Sequence, residues 1–570
     1  MKSLIALFLL IVLHAGAQSQ VPATAVAPED VAFNALYANR AVPKVTGKLL
    51  NLTAEELKSL TIKYTLVTPF AQAQSAKTTV LKPDGSFSLQ LDYALPNQQI
   101  WFGVGDFFWA GIYADKGLYI ELDMKKIEAV KDGVSFNGDG VRYLGADGPL
   151  NIYLNNYVLY RRPEQLELSS KINAMVFSGM PGDSILPSLN MLYDSLKLIE
   201  DSYIAANPSP YSWMLANERL SEYYGYVCIK YFNKRMDDAL WQKMQQHKSY
   251  LMSNSGTDFY NYTTMYVNAL PSGPVATTWK DVKTMPDLSA MEKAAIDSLE
   301  ESEKAQPAYA CTTNDVKRWK TVLNPRVQKM ALLRQIDRDI KTIDSAFTTT
   351  KADFLKLRLG SSKDVSDQRD EWQHIISSMH TAWCEAVAKS EYNHATQKIA
   401  EINKTLAKSA SVTQHTSLGK PLVETDFGAS LYKAPSIKAL DFLAKLKQNF
   451  PGKAIIIDRW ATWCAPCLGE MPHSKDLQAQ AKDLPVVFVY LCTLNSSSED
   501  KWKRKVIELQ QPGIHILIDE ALDADISKYF SFSGYPGYAF IDKAGAYKPG
   551  AITWMSDIKD GDALKAMVNN

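Results

Sequence analysis

At roughly 150 residues per domain, a chain of 570 residues holds three or four separate cores, which excludes a lone small module and a disulfide-stapled peptide. Lys plus Arg number 62 and Asp plus Glu 62, so the formal net charge is zero and gives nucleic acid or anionic lipid no overall attraction to the surface. With 46% hydrophobic, 22% charged and 11% aromatic residues the composition is that of a globular chain and excludes wholesale disorder.

The N-terminus carries Lys2, an uncharged run from Leu4 to Leu13, then Ala15-Gly16-Ala17 ahead of Gln18-Ser19-Gln20. This is the tripartite pattern of a secretory signal, with residues 1–17 removed by cleavage after Ala17. A bilayer span needs about 20 apolar residues, more than this run offers, and no later uncharged run approaches that length. The expectation is a soluble mature protein in the periplasm or another extracytoplasmic space, with no transmembrane segment after signal cleavage. No cysteine stands at the cleavage point to take a lipid anchor.

From 44 to 145 apolar and polar residues alternate over short runs, Leu60 to Val67, Ser86 to Leu91 and Tyr119 to Met124, between turn signals such as Lys82-Pro83-Asp84-Gly85. Period-two alternation of this kind predicts a small antiparallel β-sandwich. The aromatic cluster Trp101, Phe102, Phe107, Phe108 and Trp109 reads either as core and packing face or as a ligand platform, core being the ordinary outcome.

Between 149 and 408 the period becomes helical, predicting a central all-α domain. Its clearest helix runs from Val365 to Lys408, where Trp372, Ile375, Met379, Trp383, Ala386, Val387, Ala395, Ile399, Ile402 and Leu406 recur at three and four. His374, His380 and His394 lack the His-Glu-x-x-His spacing of a metal site and read as a solvated helix face. Such a domain serves to hold the termini apart, to dimerise or to bind a partner.

Residues 409–417 are small and polar, as a linker is, and from 418 to 570 strand and helix alternate. Lys453 to Asp458 reads as an apolar strand, Cys464 to Lys482 as a helix, Val486 to Leu491 as a strand and Glu499 to Leu509 as a helix. Ile514 to Ile518, Ala521 to Phe530 and Tyr538 to Ile541 complete an α/β unit with a central sheet.

Six cysteines are too few for a disulfide framework, yet in an exported chain they are free to oxidise. Cys228, Cys311, Cys384 and Cys492 are scattered and read as small buried hydrophobes or an incidental bridge. Cys464 and Cys467 alone are close enough to form a motif, at the point where a strand hands over to its helix. Two cysteines three apart across a helix start close a disulfide with little strain. A thiol there falls from about 8.5 to roughly 3.5–7.5, so part of it is the attacking thiolate at neutral pH.

The stretch Asp-Arg-Trp-Ala-Thr-Trp-Cys-Ala-Pro-Cys from Asp458 to Cys467, followed by Glu470-Met471-Pro472 and later by Gly534-Tyr535-Pro536, resembles the thioredoxin superfamily. Trp-Ala-Thr-Trp-Cys and the following Glu-x-Pro are similar to its exported TlpA-like or ResA-like thiol-disulfide oxidoreductases. The layout of a β domain and a long helical segment before this domain resembles multidomain relatives in Bacteroidetes. The resemblance implies a C-terminal thioredoxin-like fold in which Cys464 is the nucleophile, Cys467 the resolving thiol, and Asp458 a buried acid that exchanges a proton with Cys467. It makes Glu470 a second acid near the site, and Trp463, Tyr535 and Pro536 the substrate-facing residues, with Pro536 in a cis-proline loop. Tyr535, where a small residue such as Thr is usual, and Arg459, where Phe is usual, depart from the family.

A bare Cys-x-x-Cys is also half of a zinc site, but zinc wants a second pair and no other cysteines stand at ligand spacing. No cofactor and no metal is expected. A peroxiredoxin-like peroxidase wants Thr three residues before the reactive cysteine, where Ala461 stands. Two functions follow: an exported protein-disulfide reductase acting on protein thiols and disulfides and fed by an upstream electron-donor protein, or an envelope interaction scaffold with an accessory redox domain.

Overall fold

The computed structural model describes residues 28–70, 76–105, 108–128, 138–232, 234–269, 283–284, 288–305, 324–360, 364–409, 415–495 and 497–569. The expected signal peptide, Phe107, Cys311 and most of the expected linker lie outside them. The chain divides into two compact units, one from Met1–Val282, Val327–Ser361 and Glu371–Ser390, the other from Lys283–Arg326, Ser362–Asp370 and Glu391–Asn570. Among the described residues no helix is long and apolar enough to cross a membrane.

Among its described residues the first unit has a helix, Pro28–Tyr37, and then eight strands: β1 Val45–Leu50, β2 Ile62–Leu66, β3 Ala76–Thr79, β4 Ser86–Leu89, β5 Gln98–Val104, β6 Phe108–Ala114, β7 Leu118–Asp123 and β8 Val141–Leu144. They form two sheets, in the orders β4-β1-β7-β8 and β3-β2-β5-β6. Alternate residues of both sheets, among them Val45, Phe87 and Ile120 from the first and Ile62, Phe102 and Ile112 from the second, meet in one apolar core. The turn Lys82–Gly85 closes with the Gly85 N–H donating to the Lys82 carbonyl, and Gly85 takes φ +80° where a side chain would be strained.

The expectation of purely antiparallel pairing needs correction. β1 pairs with β7 in parallel, Thr46 opposite Tyr119. Parallel neighbours need a long crossover, and here the whole second sheet and β4 lie between the two strands in sequence. Alternation reports which face a residue occupies but not the direction of its neighbour, so this pair was invisible to the pattern. In the aromatic cluster, Phe102 and Phe108 enter the core while Trp101 and the exposed Trp109 stack outside it with ring centroids 6.1 Å apart.

Beyond β8 the unit is helical. Helix Gly148–Leu159 docks on β6 through Asn151, whose carboxamide accepts from the Tyr113 N–H at 2.7 Å and donates to the Tyr113 carbonyl at 2.8 Å. Thr349–Lys356 (α1) is buried along its whole length. The helix expected from Val365 to Lys408 is two: Val365–Ser377 (α2) and Ala382–Lys408 (α3). The buried Asp353 carboxylate of α1 draws the backbone out of the helix at the junction, accepting from the N–H groups of His380 and Thr381 at 2.9 and 2.6 Å. Lys356 donates to the Ser378 carbonyl at 2.7 Å. The apolar stripe runs unbroken across the joint, so periodicity alone gives no sign of it.

In the second unit the chain makes β9 Lys420–Glu424, β10 Ala429–Lys433, α4 Ala439–Asn449, β11 Ala454–Trp460, α5 Ala465–Gln480, β12 Val486–Thr493, α6 Glu499–Leu509, β13 Gly513–Ile518, α7 Glu520–Phe530, β14 Gly537–Ile541, β15 Tyr547–Lys548 and α8 Gly561–Asn569. One seven-stranded sheet runs β15-β14-β11-β12-β13-β10-β9. Its four central strands, β11, β12, β13 and β10, are parallel, with antiparallel strands outside them. α5, α6 and α8 cover one face through Leu477, Trp502 and Leu564, and α4 and α7 cover the other through Phe442 and Ile526. The end of α3 joins this unit, where Ala395 and Ile402 pack on Ile507 of α6.

Candidate active site

β11 lies at the centre of the sheet and is buried at every position. Its alternate residues therefore feed both layers: Ile456 and Trp460 face α5, while Ile455 and Ile457 face α4 and α7. Asp458 follows the first set and Arg459 the second. The carboxyl end of a parallel strand is where α/β sheets place their chemistry, and here Ala461, Thr462 and Trp463 turn the chain directly into α5.

Cys464 caps that helix. Its Sγ accepts from the Cys467 N–H at 3.2 Å, and Sγ of Cys464 and Cys467 are joined in a disulfide with Cα atoms 5.3 Å apart. Cys467 is fully buried and Cys464 is 3% exposed. The Cys464 side chain thus has only a small window to solvent in this oxidised form. Its neighbours Ala465 and Pro466 are exposed, and Trp463 is 44% exposed with its indole N–H donating to the Asn495 carbonyl at 2.9 Å.

Asp458 is 1% exposed, and neither carboxylate oxygen has a hydrogen-bond partner among the described residues. Desolvation, reinforced by the Glu470 charge, pushes its carboxyl up to about 8. Tyr490 of β12 and Tyr538 of β14 sit opposite it in register on either side. The Tyr490 hydroxyl is fully engaged, accepting from Gln511 at 2.7 Å and sharing a hydrogen bond with Ser474 at 2.6 Å, whereas the Tyr538 hydroxyl is buried with no partner among the described residues. Glu470, one turn beyond Cys467 on α5, is half-buried and accepts from the Ser556 N–H at 2.8 Å.

The Tyr535–Pro536 peptide bond is cis. Tyr535 packs edge-on against Trp463, ring centroids 5.5 Å apart, which brings the Gly534-Tyr535-Pro536 turn beside the residue preceding Cys464. Over that same ring lies Arg459, its guanidinium carbon 3.8 Å from the ring centroid. Sequence reasoning singled out Arg459 and Tyr535 as separate departures from a family pattern. It missed Asp523, the residue of α7 that binds both. A signal existed: Asp523 falls on the apolar stripe Leu522, Ile526, Phe530, where a carboxylate needs a buried cation.

The Redoxin family pattern matches residues 433–548, which contain Asp458, Arg459, Cys464, Cys467, Glu470, Asp523 and the Tyr535–Pro536 turn. The thioredoxin-like protein YneN of Bacillus subtilis is 32% identical over 112 residues, 19% of this chain and 62% of that protein. The thiol-disulfide oxidoreductase ResA of Bacillus thuringiensis is 29% identical over 115 residues, 20% of this chain and 64% of that protein. The C-terminal domain is a thioredoxin-superfamily domain of the TlpA/ResA-like kind. This chain spans less than two thirds of the length of either relative.

Among solved structures, the thiol:disulfide interchange protein from Chlorobium tepidum is 18% identical at a TM-score of 0.20, covering 28% of this chain and 93% of that one. The thioredoxin domain of a thiol-disulfide oxidoreductase from Bacteroides vulgatus is 20% identical at a TM-score of 0.20, covering 21% and 84%. The other cysteines of the thioredoxin-like domain and of the first unit, Cys492, Cys228 and Cys384, are buried and unbridged. Burial raises all three thiols and suppresses their thiolates.

Proposed function

We propose that this chain is an exported thiol-disulfide oxidoreductase that reduces disulfides of protein clients through Cys464 and Cys467. The observation that carries the reading is the Cys464–Cys467 disulfide at the start of α5, with Asp458 buried and unbonded beneath the same face and the Tyr535–Pro536 turn alongside. In the reduced enzyme the Cys464 thiolate attacks a client disulfide. A Cys464–client bond forms, the client S–S bond breaks, and one client sulfur leaves as thiolate and is protonated. Cys467 then gives its proton to Asp458 and attacks Sγ of Cys464, closing the intramolecular disulfide and releasing the second client sulfur, which takes a proton in turn. Two electrons pass from the enzyme dithiol to the client, and an upstream dithiol protein returns them.

Asp458 suits this step because a carboxyl held near 8 lies close to the pKa range of the thiol it must deprotonate. Glu470 lends its charge to that environment. Trp463, Tyr535 and Pro536 are the surface against which an extended client segment lies. The experiment is turnover with a protein disulfide under a dithiol reductant. Cys464→Ser abolishes turnover, and Cys467→Ser accumulates mixed disulfides visible on non-reducing gels. Full activity in Cys464→Ser would end the proposal.

A second reading, an envelope interaction scaffold with an accessory redox domain, is favoured by the separate cores of the first unit, which the family match at 433–548 does not reach. A Cys464→Ser/Cys467→Ser chain that still recovers the same stable partner from envelope extracts supports it. Loss of that partner together with the sulfurs argues for capture by thiol exchange alone.

A further inference from the structure

Arg459 and Asp523 are both nearly sealed from solvent, Arg459 at 6% exposure. Their pairing is bidentate, Nε to Oδ1 at 2.7 Å and Nη2 to Oδ2 at 2.9 Å. A buried pair of this kind adds little net stability over apolar residues of the same volume. Its remaining bonds all go to one place. Nη1 of Arg459 donates to the Gly534 carbonyl at 2.9 Å, the guanidinium lies over the Tyr535 ring, and the Tyr535 hydroxyl donates to Asp523 Oδ2 at 2.8 Å. The Tyr535 ring thus contacts both the guanidinium and, in a T-shaped pair, Trp463, whose indole is itself fixed to the Asn495 carbonyl.

We propose that Arg459 and Asp523 are positioning residues that clamp the Gly534-Tyr535 backbone beside the disulfide, making Tyr535 and Trp463 a preformed, uncharged wall that selects extended client segments with an apolar residue next to their cysteine. This rests on the reading of Cys464 and Cys467 as an exchanging pair. Two features favour an apolar flank, and a third fixes the identity of the clamp. Asp523 neutralises the Arg459 charge, so the cation is spent inside the protein rather than shown to a client. Trp463, Ala465, Pro466 and Tyr535, exposed or half-exposed around the disulfide, carry no ionised group at neutral pH, and the charge of Glu470 stands one turn further along α5. A planar fork that stacks and bonds at once is a property of Arg that Lys lacks, so the clamp demands this residue and not merely its charge.

The test uses the full chain and compares a small disulfide with no peptide backbone, hydroxyethyl disulfide, with two disulfide-linked extended peptides carrying Leu or Glu beside the cysteine. The wild-type chain favours the Leu peptide. In Arg459→Met/Asp523→Asn, which removes both charges and strands neither, kcat/KM for the Leu peptide relative to the small disulfide falls about tenfold or more through KM, because a misplaced backbone loses bound geometry. The preference over Glu shrinks with it. Arg459→Lys does not restore the ratio, and Tyr535→Phe, which deletes the hydroxyl with its bonds to Asp523 and Thr493 but keeps the ring under the guanidinium, moves it the same way by less. An unchanged ratio in the double variant, or full rescue by Lys, overturns the clamp while leaving the exchange chemistry intact. A wild-type chain inert toward the small disulfide overturns the underlying reading instead.

Discussion

Asp458 is enclosed at the centre of the sheet with neither oxygen bonded, and its carboxyl titrates near 8 instead of near 3.8. Folded-state protonation outlasts unfolded-state protonation, so the unfolded chain gains stability relative to the folded one as pH rises. The contribution of this group is best below about 3.8, erodes through the interval up to about 8, and is constant above it. Asp458→Asn therefore stabilises the chain at neutral pH by a few kcal/mol, and urea melts at acid and at mildly alkaline pH differ less for the variant than for the wild type. The same carboxyl must be ionised to accept the Cys467 proton, so the resolving step accelerates with pH and levels off above about 8, an inflection that Asp458→Asn removes in single-turnover quenching. Asp458, Cys464, Cys467 and Tyr535-Pro536 were legible in the sequence because each belongs to a short local pattern. Asp523 was not, since its meaning depends on Arg459, which lies 64 positions away and opposite it only in the fold.

The strand at 454–460, the helix after Cys464 and the strand–helix pairs beyond it follow from apolar runs whose length and flanking turn residues separate strand from helix. β9, β10 and α4, which precede them, carry weaker periodicity and were not read. The joint between α2 and α3 is the opposite case: strong periodicity that conceals a break made by a side chain from another helix. Asp353 bonds the N–H groups of His380 and Thr381 and pairs with buried Lys356 at 3.1 Å. Asp353→Ala takes the acceptor from the part-buried N–H of His380 and the buried N–H of Thr381, while Lys356 keeps Asp344 at 2.7 Å, and costs about 2 kcal/mol. Chemical denaturation followed by Trp383 fluorescence reads this loss, and a change below about 0.5 kcal/mol, the size of an ordinary surface substitution, would show that another group makes the joint.

At the scale of the whole molecule, two units with separate cores share one chain, and each is expected to unfold cooperatively by itself. Calorimetry should resolve more heat than one two-state transition accounts for. Reducing the Cys464–Cys467 disulfide should shift the transition of the unit that contains the thioredoxin-like domain and leave the other in place; a single transition that moves as one would show the units to be coupled. The most direct measurement of the central claim is equilibration of the intact chain across a series of glutathione potentials, followed by acid quenching, alkylation and peptide mapping of Cys464 and Cys467. The expected result is that both sulfurs change together in one reversible two-electron step, absent in Cys464→Ser, while Cys228, Cys384 and Cys492 stay unreactive in the folded chain. Two sulfurs that remain bonded, or remain free, across the whole series would contradict it.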